Sequence, residues 1–186
     1  TMQESISAPQ VGGIVKLTGF ILKTSLIIEM IGAALLAPVF CNDLGIAKGL
    51  WYSLFHSISA FCNAGFDLFG IREPFSSLTF YHSNIYLNII IMMLIITGGI
   101  GFLVWGDIRI HKNRIRRFSL QSKVVLMTSA VLIVLPALYF FFYEYDRETI
   151  HDRTIHSLFQ SVTTRTAGFN TTDLAAMDES GTAIMI

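Results

Sequence analysis

Two short glycine-centred segments carry the residue types in this sequence that could bind a ligand. The first reads FCNAGFD over residues 61–67, and the second reads RTAGFN over residues 165–170. Glycine has no Cβ, so the backbone around it can adopt dihedral angles that turn successive carbonyl oxygens toward one point. A ring of such oxygens can replace the hydration shell of a potassium ion. The chemistry that these segments predict is cation coordination by backbone carbonyls.

The composition indicates that these segments lie in a membrane protein. Of the 186 residues, 53% are hydrophobic and 14% are charged, and the mean hydropathy is +0.59. These values are too apolar for an ordinary soluble domain. The formal net charge is zero, which argues against a nucleic-acid partner. Cys41 and Cys62 lack the spacing of a metal site and cannot form a disulfide framework.

Long apolar runs flank both glycine segments. About 20 helical residues are needed to cross roughly 30 Å of hydrocarbon. We therefore expect spans at about residues 18–40, 84–105 and 124–143, and the start of another at 180–186. The polar residues 1–17 are interpreted as a linker that precedes the first span.

A shorter amphipathic run precedes each glycine segment. Residues 49–61 and 154–164 are too short to span a bilayer and fit half-helices that enter the membrane and stop. The non-helical backbone after them survives at membrane depth only inside protein or beside water. The two copies also match, LFHSIS with LFQSVT and AGF with AGF. An ordinary turn after a surface helix could explain one copy, but the repeat favours two related units.

The basic residues predict the orientation of the chain. Six of them lie within residues 107–123, between the second and third expected spans: Arg109, Lys112, Arg114, Arg116, Arg117 and Lys123. Short basic loops stay in the cytoplasm. Lys16 and Lys23 then mark the same side, and both glycine segments open outward.

Glu29 is a carboxylate in the middle of the first expected span. Such a group costs roughly 2.5–3.5 kcal/mol on insertion scales, so it must face protein or water. It is either part of an ion pathway or a polar group that bonds a neighbouring helix, and we favour the second. The glycines of TGGIGF at residues 97–102 superficially resemble a dinucleotide loop, but no strand precedes them. Close helix packing is the expectation there.

The whole chain resembles the Trk/Ktr/HKT superfamily of potassium transporters, above all the KtrB-type and TrkH-type membrane subunits. The resemblance rests on SLFHSISAFCNAGFDLFG, TGGIGFLVWGDI and SLFQSVTTRTAGFNTTDL. It implies an all-α polytopic membrane protein with repeated M1-P-M2 units, each a helix, a re-entrant pore loop and a helix, around a potassium-channel-like pore. The sequence is then expected to be a piece of a longer protein. It would hold a cytosolic linker, the second unit at 18–106, the basic loop at 107–123 and an incomplete third unit at 124–186.

The resemblance also assigns roles to individual residues. Backbone carbonyls of the ion selectivity filter would bind K+, and they would come from Cys62, Asn63, Ala64 and Gly65 and from Arg165, Thr166, Ala167 and Gly168. Phe66 and Phe169 would support the two loops from behind, and Asp67 would concentrate cations at the outer mouth. Arg165 is unexpected in a cation filter. We expect its guanidinium to point away from the ion axis and to bond carbonyls or an acidic side chain.

The function implied by the resemblance is potassium uptake across a bacterial plasma membrane, without enzymatic activity or a cofactor in this chain. Sodium is an open choice for a coupling ion. Expected partners are the lipid bilayer, a second copy in a homodimer, and cytosolic nucleotide-binding regulatory subunits of the KtrA/TrkA type. The basic loop would contact such subunits or anionic lipid, or would only fix the orientation.

Two alternatives remain at this stage, a multi-span membrane enzyme and a structural membrane subunit without ion conduction. An enzyme would need a cluster of acidic, histidine or serine side chains on facing helices. The sequence shows no such catalytic cluster.

Overall fold

The computed structural model describes residues 11–71, 76–112, 114–172, 177 and 179–185, and it is helical with no β-strand in these ranges. The α-helices are α1 (Val11–Leu44), α2 (Ile46–Phe61), α3 (Ile85–Gly99), α4 (Phe102–His111), α5 (Leu120–Tyr139), α6 (Ile150–Thr166) and α7 (Glu179–Met185). Short 3-10 turns occur at Phe69–Ile71, Thr79–Tyr81 and Ile115–Arg117, and a π-helical turn at Phe140–Glu144 continues α5. The all-α prediction holds for the described part of the chain.

Two helices are each long and apolar enough to cross a membrane. They cover Val15–Leu44, with 30 residues, and Leu120–Glu144, with 25 residues. Many of their apolar side chains point outward, since Leu22 is 60% exposed and Met127 is 73% exposed. Such surfaces fit a membrane protein, whose outer face is as apolar as its lipid solvent.

The ends of the expected segments differ from the helices in detail. Residues 1–10 of the expected linker lie outside the described residues, and residues 11–17 are already the first turns of α1. At the other end, α7 begins at Glu179, close to the expected start of a further span at 180. Ile186 lies outside the described residues.

The second expected span is not one straight helix. We predicted a single helix at 84–105, but α3 ends at Gly99, α4 begins at Phe102, and their axes meet at 92°. Gly101 lies at the bend with a φ of +83°, a conformation that glycine adopts without steric cost. The 15 residues of α3 measure only about 22 Å at 1.5 Å per residue. Because the apolar run continues through the break, hydropathy alone did not reveal it.

The core forms where the half-helices pack between the long helices. α2 lies along α1 and also contacts α3, while α6 contacts both α5 and α3. Buried side chains from all sides meet there, including Phe40 of α1, Phe61 of α2, Ile91 of α3 and Phe159 of α6. α3 thus joins the first half of the chain to the second.

The glycine cluster at the end of α3 packs closely against α2. A Cβ at Gly98 would lie 1.8 Å from the carbonyl oxygen of Phe61. Trp105 Nε1 of α4 donates a hydrogen bond to the carbonyl oxygen of Thr97 at 3.2 Å, which ties α4 back to α3. The expectation of close helix packing is therefore confirmed, and a dinucleotide loop is excluded by the helical setting.

Gly98→Ala should destabilise the complete protein that contains this chain. The atom that the new methyl group would meet is a backbone oxygen, so α2 or α3 must move, which costs about 1–3 kcal/mol in a well-packed core. The measurement is the thermal unfolding midpoint of the detergent-purified protein. Gly106→Ala in α4 is the matched control, because the space around Gly106 is open. Equal midpoints for the two variants would contradict the packing role of Gly98.

Candidate functional site

Equivalent hydroxyl groups hold the two glycine segments against their half-helices. Ser59 Oγ donates to the carbonyl oxygen of Phe66 at 2.7 Å, and Thr163 Oγ1 donates to that of Phe169 at 2.8 Å. Ser59 and Thr163 occupy the same place in LFHSIS and LFQSVT. Each loop is therefore folded back over the end of its helix by the hydroxyl that the repeat retains.

A second pair of equivalent serines attaches each half-helix to the long helix before it. Ser57 Oγ donates to the carbonyl oxygen of Glu29 at 2.7 Å. Ser161 Oγ donates in the same way to the carbonyl oxygen of Ile133. The partners are 28 residues apart in both pairs. The α1–α2 and α5–α6 pairs are thus packed through the same contact, which extends the repeat from sequence to structure.

The helices that precede the glycine segments are longer than predicted. We expected half-helices at 49–61 and 154–164, but α2 begins at Ile46 and α6 covers Ile150–Thr166. Arg165 and Thr166 consequently lie in the last turn of α6 and not in the extended loop. The first segment leaves its helix at Cys62, as the sequence predicted.

The two glycine segments lie side by side although they are far apart in sequence. A Cβ at Gly65 would lie 2.2 Å from the carbonyl oxygen of Ala167 and 3.3 Å from the carbonyl carbon of Gly168. Gly65 and Gly168 have φ values of +70° and +79°, a left-handed conformation that costs other residues roughly 1–2 kcal/mol. Both positions therefore favour glycine by conformation, and Gly65 also requires it by close approach.

The backbone amides of both segments are used for folding the loops. The N–H groups of Asn63 and Ala64 donate to carbonyl oxygens in the last turn of α2, and those of Ala167 and Gly168 donate to the carbonyl oxygen of Thr163. Among the residues that the structure describes, no donor reaches the carbonyl oxygens of residues 63–65 and 167–168. Ala64 and Gly168 are exposed, Asn63 and Gly65 are half-buried, and Ala167 is buried. These five oxygens are the acceptors that the site offers to a ligand.

Arg165 is directed at the end of α3. Its Nη2 donates to the carbonyl oxygen of Gly99 at 3.0 Å, so the expected bond from Arg165 to a carbonyl is present. A guanidinium at this position complements the negative end of the helix dipole. The bond fastens the end of α6 to the break between α3 and α4.

Asn63 reaches the same break from the first glycine segment. Its φ of +52° is left-handed, which asparagine tolerates better than most residues. In the amide orientation that satisfies both atoms, its nitrogen donates to the carbonyl oxygen of Ile95 at 3.2 Å and its oxygen accepts from the N–H of Gly99 at 3.3 Å. From the sequence, Asn63 was expected to contribute only its backbone carbonyl. An asparagine just after the end of a predicted helix was the available signal for this second role, because asparagine tolerates the left-handed conformation.

The aromatic residues around the loops are arranged differently in the two copies. Phe169 is fully buried, with its ring centroid 6.4 Å from that of His56. Phe66 is 69% exposed, and Phe69 is instead buried against His56 with centroids 5.0 Å apart. Phe69 was not among the residues that the sequence predicted to support the loops. Asp67 Oδ1 accepts a hydrogen bond from the N–H of Phe69 at 2.9 Å, so this carboxylate also helps to shape the turn.

Glu29 lies beside the first glycine segment. Cys62 Sγ is 3.9 Å from its Oε1, a distance at which the thiol donates a weak hydrogen bond. This contact with the end of α2 fits the interpretation of Glu29 as a polar group that bonds a neighbouring helix. In the part of the chain that the structure describes, no three His, Cys, Asp or Glu side chains are placed to hold a metal ion.

Tyr145 anchors the segment that follows the second glycine loop. Burial raises the pKa of Tyr145 to about 12, so its hydroxyl stays protonated at neutral pH. The hydroxyl shares a 3.0 Å hydrogen bond with Thr172 Oγ1. The loop between α5 and α6 is thereby joined to the residues just beyond Phe169.

Arg165→Gln should destabilise the complete protein, because the Gly99 carbonyl loses a charged donor. Hydrogen bonds to charged groups contribute about 1.5–3 kcal/mol. The measurement is again the thermal unfolding midpoint, with Arg147→Gln as the control because Arg147 is exposed on the loop between α5 and α6. A midpoint for Arg165→Gln equal to that of the control would show that the bond does not hold the two helices together.

The amino-acid sequence of the chain matches a known protein family. The family model TrkH, described as "Cation transport protein", matches residues 3–186. The potassium/sodium uptake protein NtpJ of Enterococcus hirae is 38% identical over 185 residues, covering 97% of this chain and 40% of the relative. Ktr system potassium uptake protein B of Bacillus subtilis is 38% identical over 184 residues, covering 96% and 40%.

A further relative matches a similar length of the chain. Ktr system potassium uptake protein D of Bacillus subtilis is 31% identical over 179 residues, covering 92% of this chain and 39% of the relative. The chain therefore spans about two fifths of the length of these curated relatives.

Proposed function

Because this chain belongs to the TrkH family of cation transport proteins, we propose that it forms part of a potassium uptake protein of the plasma membrane. The names of its relatives describe potassium uptake, and one describes potassium and sodium uptake. The apolar helices α1 and α5 support the membrane location. We propose a transport role and not an enzymatic one, which the names of the same relatives support.

The observation that carries the proposal is the meeting of the two glycine segments. Carbonyl oxygens at residues 63–65 and 167–168 accept no hydrogen bond within the described residues, and Gly65 lies directly beside Ala167. A dehydrating K+ needs several oxygen ligands at once. Two adjacent loops with free carbonyls are suited to supply part of that set.

In this proposal each glycine segment ends a re-entrant loop of an M1-P-M2 unit. The second unit of the longer protein covers 18–106, with α1, α2, the first loop and α3. The incomplete third unit covers 124–186, with α5, α6, the second loop and α7. The matching bonds of Ser57 and Ser161 support the assignment of two equivalent units.

In the proposed site, backbone carbonyl oxygens replace the water molecules around a potassium ion one after another. We propose that residues 62–65 and 165–168 each supply one quarter of the filter. Because Arg165 and Thr166 lie in the last turn of α6, the oxygen ligands of the second segment would be the free carbonyls at 167–168, and those of the first would be the carbonyls at 63–65. The C-terminal ends of α2 and α6 point at the loops and add their negative dipole ends, which favour a cation. Arg165 serves this site by holding the end of α6, because its charge is paired with the Gly99 carbonyl.

The partners of the complete protein follow from the same family assignment. We propose a homodimer in a bacterial plasma membrane that works with cytosolic nucleotide-binding subunits. Two of the relatives carry a Ktr system name. Sodium is proposed as a second or coupling ion on the basis of the relative named for both ions.

Gly65→Ser and Gly168→Ser in the complete protein should each raise the external potassium concentration needed for half-maximal uptake. At either position a side chain must leave the left-handed conformation or bear a strain of about 1–2 kcal/mol, and the neighbouring carbonyl oxygens then move from the positions that suit the ion. A loss of about 1.4 kcal/mol in ion binding corresponds to about tenfold in affinity. The measurement is potassium uptake by a potassium-transport-deficient bacterial strain that expresses each variant at equal membrane level.

Two controls separate ion binding from general strain. Gly45→Ser places a side chain at a φ of +82° in open space, away from the loops, and Gly70→Ser places one in open space without a positive φ. Both should leave the potassium concentration dependence unchanged. If Gly65→Ser and Gly168→Ser behave like Gly45→Ser, the glycines are folding residues and the filter assignment is wrong.

A further inference from the structure

α4 leaves α3 at 92°, so in a membrane that α3 enters along the normal, α4 would run along the bilayer surface as interfacial helices do. The guanidinium carbon of Arg109 lies 4.8 Å from the ring centroid of Phe20. α4 therefore contacts α1 at Phe20, which lies between Lys16 and Lys23 in the sequence.

A basic cavity opens at the end of α4. It has a volume of about 730 Å³ and is lined by Ile108, Ile110, His111, Lys112, Arg114 and Arg117. Three permanent cations thus share one depression with two isoleucines. Ile110 is 73% exposed, and the neighbouring Ile115 is 61% exposed. The surface combines positive charge with apolar side chains that water solvates poorly.

The cations of the basic cavity make no ion pair with the acidic residues that the structure describes. Within the described ranges, Lys112, Arg114 and Arg117 form no ion pair. Asp107 is the nearby carboxylate, and its Oδ2 accepts hydrogen bonds from Ser119 Oγ at 2.7 Å and Ser122 Oγ at 2.6 Å. Its Oδ1 lies 3.8 Å from His111 Nδ1. The Asp107 carboxylate is thus bonded to residues at the start of α5 and does not neutralise Lys112, Arg114 or Arg117.

We propose that the basic cavity binds the phosphate headgroup of an anionic phospholipid in the cytoplasmic leaflet. Lys112, Arg114 and Arg117 would neutralise the phosphate, while Ile108 and Ile110 would contact the glycerol and the upper acyl chain. An acidic protein surface could also cover these cations and isoleucines, and equal binding of the two lipid probes in the test below would favour that partner. The combination of cations, exposed isoleucines and a surface-parallel helix favours a lipid.

The lipid site would stabilise the bent arrangement of α3 and α4. The residues that line the cavity begin at Ile108 in the last turn of α4 and continue into the segment that follows it. A lipid held there would keep the end of α4 at the interface. This inference depends on the membrane location of the chain and not on the glycine segments, so its failure leaves the filter proposal standing.

The test is lipid binding to the complete purified protein by native mass spectrometry. The probes are phosphatidylglycerol and phosphatidylcholine with the same acyl chains. Arg114→Gln/Arg117→Gln should weaken phosphatidylglycerol binding about 25-fold, roughly fivefold for each of the two cations near an anionic surface, and should leave phosphatidylcholine binding unchanged. Arg114→Lys/Arg117→Lys keeps the charge and should retain most of the binding.

The matched control is Lys48→Gln/Arg147→Gln, which removes the same number of exposed cations outside the cavity and should have no effect. The proposal is overturned if the wild-type protein binds both lipids equally, if Arg114→Gln/Arg117→Gln binds phosphatidylglycerol as the wild type does, or if the control pair weakens binding as much as the cavity pair does. Complete displacement of phosphatidylglycerol by inorganic phosphate would identify a free-phosphate site and would also overturn the lipid assignment.

Discussion

Backbone carbonyl oxygens at the ends of short helices are the constraint on which this structure depends. A helix leaves its last carbonyls without intrahelical partners, and in a membrane protein bulk water cannot be assumed to satisfy them. The chain meets this need with side chains at several points. Ser59 and Thr163 satisfy the carbonyls of Phe66 and Phe169, and Arg165 satisfies that of Gly99.

Five carbonyls without such a partner among the described residues lie where the two loops meet. The N–H groups of Asn63, Ala64, Ala167 and Gly168 bond back to the ends of α2 and α6. The loops are thus held firmly on one side and present bare oxygens on the other. This division of roles is what a cation site made from backbone requires, since the oxygens must stay in place when the ion leaves.

α3 has a central place in this arrangement. Its last turn receives Arg165 from α6 and the Asn63 amide from the first loop, and Gly98 allows α2 to approach closely. Both halves of the repeat are therefore connected through the point at which the second apolar run bends. A movement of α4 about Gly101 would act first on residues that also hold the two loops.

The sequence was sufficient for the features that have a local signal. The glycine segments, the repeat and the long helices α1 and α5 could be predicted because composition, periodicity and turn chemistry act over a few residues. The break after Gly99 could not be predicted from hydropathy, because Ile100 and Phe102 continue the apolar run. The bend is visible only in the backbone of the structure. The burial of Phe69 beside His56 could not be predicted either. Phe66 and Phe69 are the same residue type within four positions, so only tertiary packing decides which of them is buried.

In the proposed filter, the carbonyls of the two adjacent glycine segments bind the transported ion. The most direct test is anomalous diffraction from crystals of the complete protein grown with rubidium in place of potassium. We expect a rubidium peak within coordination distance of carbonyl oxygens from both segments, at residues 63–65 and 167–168. Rubidium sites along a pathway elsewhere in the protein, with no peak at these carbonyls, would contradict it.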